Sequence, residues 1–455
     1  AKYIVRRHKQ TFDFVIADEI QEYANDSSAQ TIAAHRLVAL RKPMIFMTGT
    51  IINGYAKSVF PTMIALSTDF RNEFDRGDLS TFVDRYGYRK RILSDKEDGE
   101  IVAFGTQSDR VERSERDAGD APGVLPLFLF RHLLASTVTL HKADLKIDLP
   151  TLTQDRDVIV ATPSMQAEYS RILDALKTQI KADMFEPGLA GKLFGQLSEF
   201  PSYLDCCTED VGNVDGGGSF EIRYPEGLPD GFGNRLVAAG EMLPASTVLP
   251  KEAKMLAFVE AEVAAGRNVM VLGWHLRLLP RLARLLAEKI GESVPVLYAD
   301  KVPTGKRQAW IEREIVGKKR RCLVVNPVCI QTGLNSLVHF SSQWWHEHPA
   351  CNPLTFRQAV GRIDRIGQKQ PTKTLFGYYG ETLQEKIYDL LMAKVGISTA
   401  VDGLDPSMAW QAAGIVEDES LLGLSLGKAL WDMMTKDVTN VVPFSRSRSA
   451  RRSTP

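Results

Sequence analysis

The run Gln358-Ala-Val-Gly-Arg362-Ile-Asp-Arg365-Ile-Gly-Gln368 holds the residues best suited to chemistry. Two arginines stand three apart, so a helix through this run would put both on one face. Paired guanidiniums can clamp the phosphates of a nucleotide, because the planar fork grips phosphate at two points and stays charged. A second set stands far upstream, in Thr11-Phe-Asp-Phe-Val-Ile-Ala-Asp18-Glu19-Ile20-Gln21. There an apolar stretch, Phe14 to Ala17, stops abruptly at two acids. Such a stretch predicts a buried parallel strand. Carboxylates at its carboxyl end sit where open α/β sheets bind ligands. One acid could hold Mg²⁺, and the other could orient or deprotonate a water. Taken singly, each pattern has a plain alternative: a solvated basic helix, and a strand that ends in a charged turn.

The elements that must position these groups follow from the hydrophobic pattern. Residues 251–395 alternate helix and strand: helix 251–265, strand Val269–Leu272, helix 276–290, strand Val294–Tyr298, helix 305–316 and strand Cys322–Val325. A strand near Val338–Trp345, a helix carrying Gln358 to Arg365, strand Thr372–Tyr379 and helix 382–395 complete the series. Such alternation predicts a mostly parallel sheet covered by helices on both faces. Upstream, the strand ending at Asp18, a helix near 28–40, the strand Met44 to Met47 and a helix near 57–66 form a shorter α/β unit. Arg71 to about residue 130 is polar and reads as an irregular, exposed excursion. A helix near 164–182 has good propensity. The tail from about residue 437, rich in Ser and Arg, predicts disorder.

Bulk properties narrow the function classes. The 455 residues suffice for about three domain-sized units. Lysine plus arginine equals aspartate plus glutamate, 56 of each. A nucleic-acid partner must therefore be held by local patches rather than by a global field. The candidates are Arg89-Lys90-Arg91, Lys318-Lys319-Arg320-Arg321 and Arg446, Arg448, Arg451 and Arg452, each with a solvated charge run as its alternative. No apolar run approaches the roughly 20 residues that span a bilayer. Five cysteines, two of them adjacent (Cys206 and Cys207), do not suggest a disulfide framework. His346, His348 and Cys351 could contribute to a zinc site, but a fourth ligand is not evident and zinc favours four. Trp274 and His275, after the strand Val269–Leu272, could touch nucleic acid or simply fill space.

In order along the chain stand Asp18-Glu19-Ile20-Gln21, Met47-Thr48-Gly49-Thr50, Gln331-Thr-Gly333-Leu-Asn335 and Gln358 to Gln368. The series resembles motifs II, III, V and VI of the superfamily 2 helicase-like ATPases, and within them the Swi/Snf-type DNA translocases. Asp364, where eukaryotic members usually carry His, is similar to bacterial members. Phe130-Arg-His-Leu-Leu, Asp148-Leu-Pro150, Leu193-Phe-Gly-Gln-Leu and Asn352-Pro353 extend the resemblance over residues 11 to about 395. There are departures. Ile51 replaces a proline, and the Gly-x-Gly that precedes motif V is replaced by Gln331-Thr332. No Gly-x-x-x-x-Gly-Lys-Ser/Thr loop occurs; in Gly49 to Ser58, two residues separate Gly54 from Lys57. The simplest reading is a piece of a longer protein that carries the phosphate loop and the first strands upstream.

The resemblance implies an α/β fold with two RecA-like lobes, the first incomplete, joined by a mainly helical linker and insertion. Residues 1–70 would be the rear of lobe one and 71–250 the protrusion and linker. Residues 251–395 would be lobe two and 396–455 a C-terminal extension. It implies ATP and Mg²⁺ as cofactors, with Asp18 holding the metal through water and Glu19 activating the attacking water. Gln358, Arg362 and Arg365 would reach the nucleotide, which Gly333 and Asn335 also help to bind. Gln21, Thr48, Gly49 and Thr50 would couple hydrolysis to nucleic acid. The implied partner is double-stranded DNA, the implied location cytoplasmic, with no membrane. Two alternatives stay open: a strand-separating helicase and, for this chain by itself, a non-catalytic DNA-binding or scaffold module.

Overall fold

The computed structural model describes residues 1–20, 29–38, 40–52, 54–95, 99–105, 115–121, 123–140, 144, 149–183, 200–211, 220–223, 236–331, 333–347 and 352–401. The chain divides into two compact units, residues 1–140 with 392–455, and residues 141–391. In the first unit, two short apolar runs form β1 (Val15–Ala17) and β2 (Met44–Phe46), paired in parallel with Ile16 opposite Ile45. Alternation along a strand sends successive side chains to opposite faces. Both faces can be followed. Val15, Ala17, Met44 and Phe46 line an apolar cleft of about 380 Å³ together with Ala33, Leu37 and Ala65 of the helices Ala29–Val38 and Phe60–Leu66. On the other face, Ile16 is 61% exposed and Ile45 50%. Parallel sheets are normally covered on both faces; here the face that carries Ile16 and Ile45 is largely exposed.

The core of this unit lies behind the helices. Phe60, Phe70, Phe74, Phe82, Tyr86 and Phe128 are buried, and their rings meet largely edge to face at 5.0–6.4 Å. Glu73 sits at the rim. It accepts from the Tyr86 hydroxyl at 2.8 Å and from Arg131 Nε at 2.8 Å, and pairs with Arg85 at 2.7 Å. Burial and this carboxylate push the Tyr86 phenol up to about 12. Where the sequence reads as irregular, the structure has helices Thr68–Glu73 and Leu79–Tyr86, then an antiparallel sheet of β3 (Tyr88–Asp95), β4 (Gly99–Gly105) and β5 (Glu115–Ala121), with β3 central. Polar composition masked these strands because an antiparallel sheet can leave a face to water.

The second unit is built on six parallel strands. They are β6 (Leu152–Ile159), β9 (Val269–Leu272), β10 (Val296–Leu297), β11 (Cys322–Val325), β12 (Ser342–Trp345) and β13 (Thr372–Tyr379); β7 (Phe220–Arg223) and β8 (Leu236–Gly240) form a separate hairpin. The sheet order is β10-β11-β9-β12-β13-β6. Strands β9, β11 and β12 are buried at every position, as expected of strands covered on both faces. Helices Pro250–Ala264, Leu279–Ile290, Pro353–Val360 and Leu383–Val401 accompany the sheet. Residues 152–159 thus carry the sheet back into the stretch that the sequence reading gave to the linker. Among the described residues, no helix is long and apolar enough to cross a membrane.

Two tryptophans fill the centre. Trp345 stacks on Phe376 at 5.4 Å, and Trp344 lies against Gly377. A Cβ at Gly377 would stand within 2.4 Å of Trp344 Cζ2. Trp344 has no room to retreat, being fully buried. Gly377→Ala is therefore expected to destabilise the protein by about 1–3 kcal/mol through overpacking. The change should appear as a lower urea midpoint with an unchanged denaturant slope.

Candidate functional site

In the first unit, the strand ends bring two predicted groups together. Met47 N–H donates to Ala17 O at 2.8 Å, and Ile20 N–H donates to Met47 O at 3.1 Å. These bonds set Asp18-Glu19 beside Met47-Thr48, at the carboxyl ends of neighbouring parallel strands. Asp18 is exposed, and its Oδ1 accepts the Glu19 N–H at 2.9 Å. Glu19 adopts φ 51°, the left-handed region that L residues rarely occupy. The Thr48 hydroxyl closes a tight turn, accepting from Thr50 N–H at 3.0 Å and donating to Thr50 O at 2.8 Å. Thr50 is buried and Gly49 exposed. Gln21 lies outside the described residues. One exposed carboxylate at a strand end fits Mg²⁺, which keeps most of its waters and takes only one or two protein carboxylates beside substrate phosphates.

In the second unit, the 353–365 segment departs from expectation. Asn352 Oδ1 caps the helix, accepting from Leu354 and Thr355 N–H at 3.1 and 3.2 Å, with Pro353 in the first turn. The helix carries Gln358, half-buried, but stops at Val360. Arg362 and Arg365 lie in the turns that follow, not on a continuous helix face. Tight turns take over there, with Arg362 N–H donating to Ala359 O and Ile363 N–H to Val360 O, both at 3.2 Å. Gln368 Nε2 then anchors the segment on Phe340 O at 2.9 Å and Ile363 O at 3.0 Å. Both arginines still converge, on the loop that follows β11. Arg362 donates from Nε to Ile330 O at 2.7 Å and from Nη2 to Gln331 O; Arg365 Nη1 donates to Leu334 O at 3.2 Å.

That loop has its own supports. Gly333 takes φ 68°, and open space surrounds its Cα, so glycine answers a backbone need there. Asn335 N–H donates to Gln308 Oε1 at 3.0 Å, while Gln308 Nε2 donates to Ser336 Oγ and Glu312 Oε1 at 2.6 Å each. The structure therefore brings Gly333, Asn335, Arg362 and Arg365 into one assembly.

Sequence reasoning missed a buried polar assembly beside β9 and β12. Glu347 Oε2 accepts from Trp274 N–H at 2.7 Å and His275 N–H at 2.8 Å, and Glu347 Oε1 meets His275 Nδ1 at 2.6 Å. Burial pushes the Glu347 carboxyl up, but the His275 charge and these hydrogen bonds outweigh it and hold Glu347 well below the usual range. Lys251 Nζ donates to Asp205 Oδ1 at 2.8 Å and to Gln384 Oε1 at 2.8 Å, all three side chains buried. Trp344 Nε1 donates to His346 Nδ1 at 3.3 Å, which leaves the proton on Nε2, 3.7 Å from Asp205 Oδ1. Burial drives the His346 pKa far down, so the ring is neutral. A Lys after a proline and a His-Glu pair after two tryptophans gave no usable signal of this network. His348 and Cys351 lie outside the described residues, and no metal-binding cluster of three or more such side chains occurs among the described ones.

The basic patches divide similarly. Lys318 pairs with Glu314 at 2.5 Å and Arg321 with Glu292 at 3.3 Å, as befits a solvated charge run. Arg446, Arg448, Arg451 and Arg452 lie outside the described residues. Cys206, Cys207, Cys322 and Cys329 are free and buried.

No protein-family model matches the chain. Over 95 residues it is 35% identical to Helicase ARIP4 of Mus musculus and of Homo sapiens, a stretch that covers 21% of this chain and 6% of those relatives. Among solved structures it is similar to the C-terminal part of the Fun30 ATPase domain, with a TM-score of 0.41 and 13% identity, covering 64% of this chain and 98% of that one. It is also similar to the Sulfolobus solfataricus SWI2/SNF2 ATPase core in complex with dsDNA, with a TM-score of 0.39 and 14% identity, covering 91% and 76%. The proteins that this chain is similar to are Swi2/Snf2 ATPase domains and a helicase.

Proposed function

We propose that the protein is an ATP-dependent motor that hydrolyses ATP to move along double-stranded DNA. One observation carries the reading. Motif residues scattered from 18 to 368 gather into two assemblies: acids beside the Thr48–Thr50 turn in one unit, and both arginines on the 330–334 loop in the other. Asp18 would hold Mg²⁺ through water, and the metal would neutralise charge on the β- and γ-phosphates. Glu19 would align the attacking water, and Gln358, Arg362 and Arg365 would meet the γ-phosphate. Thr48, Gly49 and Thr50, tied to the Asp18 strand end, would transmit the state of the nucleotide to the DNA; Gln21 would assist. Because Arg362 and Arg365 bond to the 330–334 loop, any shift on phosphate binding would move Gly333 and Asn335 as well. Binding to DNA would rest on phosphate contacts, hence tolerate sequence and weaken with salt.

For this chain by itself we propose a weaker role. It carries no phosphate-binding loop string, so it would bind nucleotide poorly and act chiefly as a DNA-binding module. The test is DNA-stimulated ATP hydrolysis by the full-length protein, with Glu19→Gln as control. Stimulated turnover that disappears in Glu19→Gln is the expected result. Turnover indifferent to DNA, or surviving the substitution, would sink the motor reading. Strand displacement on a tailed duplex separates translocation from unwinding.

A further inference from the structure

Two consecutive residues of one short helix, Arg307–Ile311, hold the loop that runs from Cys329 to Ser336. Arg307 Nη1 donates to Cys329 O at 3.1 Å, and Gln308 Oε1 accepts the Asn335 N–H at 3.0 Å. We propose that Gln308 is a positioning residue for Arg365 and Asn335, acting through the peptide group that joins Leu334 to Asn335. The inference rests on the motor reading and adds to it a residue outside the four motif stretches.

That one peptide group is gripped at both ends. Its carbonyl, Leu334 O, accepts from Arg365 Nη1 at 3.2 Å, and its N–H, on Asn335, donates to Gln308. A peptide group is planar, so turning it breaks both bonds together. The bond to Gln308 also polarises the group, which makes the carbonyl a better acceptor for the guanidinium. Gln308 thus sets the surface on which Arg365 rests. It also fixes the backbone of Asn335, an exposed residue.

The direction of the Gln308 amide is itself fixed. Its Nε2 donates to Glu312 Oε1, one helical turn on, and to Ser336 Oγ, at 2.6 Å each. Ser336 Oγ donates to Glu312 Oε1 at 3.1 Å, which closes the set. Both amide hydrogens are therefore used. A reversed amide would set its oxygen against the Glu312 carboxylate and its NH2 against the Asn335 N–H. A plain cap on the Ser336–His339 turn would need only an acceptor for the Asn335 N–H; Glu312 and Ser336 fix its direction as well.

The test is single-turnover ATP hydrolysis by the full-length protein on duplex DNA, with the steady-state KM for ATP beside it. Gln308→Leu should slow the single turnover by about 10–100-fold, the range for losing a partner that holds a reacting group in place. The KM should hardly move, because a misplaced arginine is felt only in the transition state. In an Arg365→Ala background the same change should cost less than about 2-fold, since residues that act through one another are not additive. Asn335 and Glu312 are exposed, so water takes the freed groups and thermal unfolding should stay close to wild type. Gln308→Glu sets two carboxylates together and should be slow too. Combined with Glu312→Gln it exchanges amide and acid, restores the acceptor for the Asn335 N–H, and should return most of the lost rate.

Gln308→Leu at the wild-type rate, or an effect confined to KM, overturns the proposal and leaves the motor reading standing. So does an equal loss with and without Arg365→Ala, which would make the two residues independent. If Gln308→Leu fails to fold, the exchange pair decides: a pair as slow as Gln308→Glu overturns the proposal. Wild type without DNA-stimulated hydrolysis, or hydrolysis that survives Glu19→Gln, overturns both.

Discussion

Lys251→Met is expected to destabilise the second unit by about 3–5 kcal/mol, the cost typical of removing one partner from a buried ion pair. Lys251 is 1% exposed, and its ammonium is shared between Asp205 and Gln384. Without it the Asp205 carboxylate stays in the core with Gln384 Nε2 at 2.7 Å as its remaining close donor. The urea midpoint should fall accordingly. Lys251→Met combined with Asp205→Asn should recover much of the loss, because no charge is then stranded. Asp205 also sets a pH dependence. Burial raises its pKa, the Lys251 charge lowers it, and the balance stands at about 6, above the 3.8 of an unperturbed aspartate. A carboxyl raised in the folded state binds its proton more tightly there than in the unfolded chain. Its contribution is therefore fully present below about 3.8 and declines as pH rises through 6. In Asp205→Asn that decline should vanish from a stability profile measured by urea unfolding.

Arg362→Ala is expected to lower DNA-stimulated ATP turnover of the full-length protein by about 10³–10⁵, the range for loss of an arginine that meets the transferring phosphoryl group. The structure adds a second cost. The side chain bonds to Ile330 O and Gln331 O, so its removal leaves carbonyls unpaired beside the buried Ile330, worth about 1–3 kcal/mol. The two effects separate by readout. Single-turnover hydrolysis reports the first, and thermal unfolding the second. Arg362→Lys should fare little better, since an ammonium cannot serve a carbonyl pair and a phosphate with the geometry of a planar fork. Near-normal turnover in either variant would remove Arg362 from the chemistry and leave it as a loop clamp.

Much of the second unit was legible in the sequence because its strands are buried on both faces. Cys322–Val325 and Thr372–Tyr379 read as strands at their observed bounds, since a short run rich in apolar, aromatic and β-branched residues between helical stretches has few other solutions. The ends of the 353–360 helix were not legible. Gly361-Arg362 continues the pattern of apolar and basic residues, and only the hydrogen bonds to a loop some 30 positions earlier show where the helix gives way. Strands β3 to β5 escaped because β3 and β5 are built mostly of charged and polar residues and show no apolar run. Of the candidate site, residue types and order were readable. The contacts of Arg362, Arg365, Gln308 and Glu347 were not, because they join residues 27 to 73 apart. Such pairings depend on the fold rather than on local pattern.

The backbone at Glu19 has a consequence for how this position would drift. A left-handed φ of 51° costs an L residue roughly 1–2 kcal/mol, less for asparagine and nothing for glycine. Under pressure for stability alone, random exchange at residue 19 would be a downhill slope toward Gly or Asn. A library of variants sorted only for folding should therefore lose its acid here first, and a library sorted for turnover should keep it. The enrichment ratio of Glu over Gly at this one codon, compared between the two sorts, would measure how strongly function opposes the backbone's own preference.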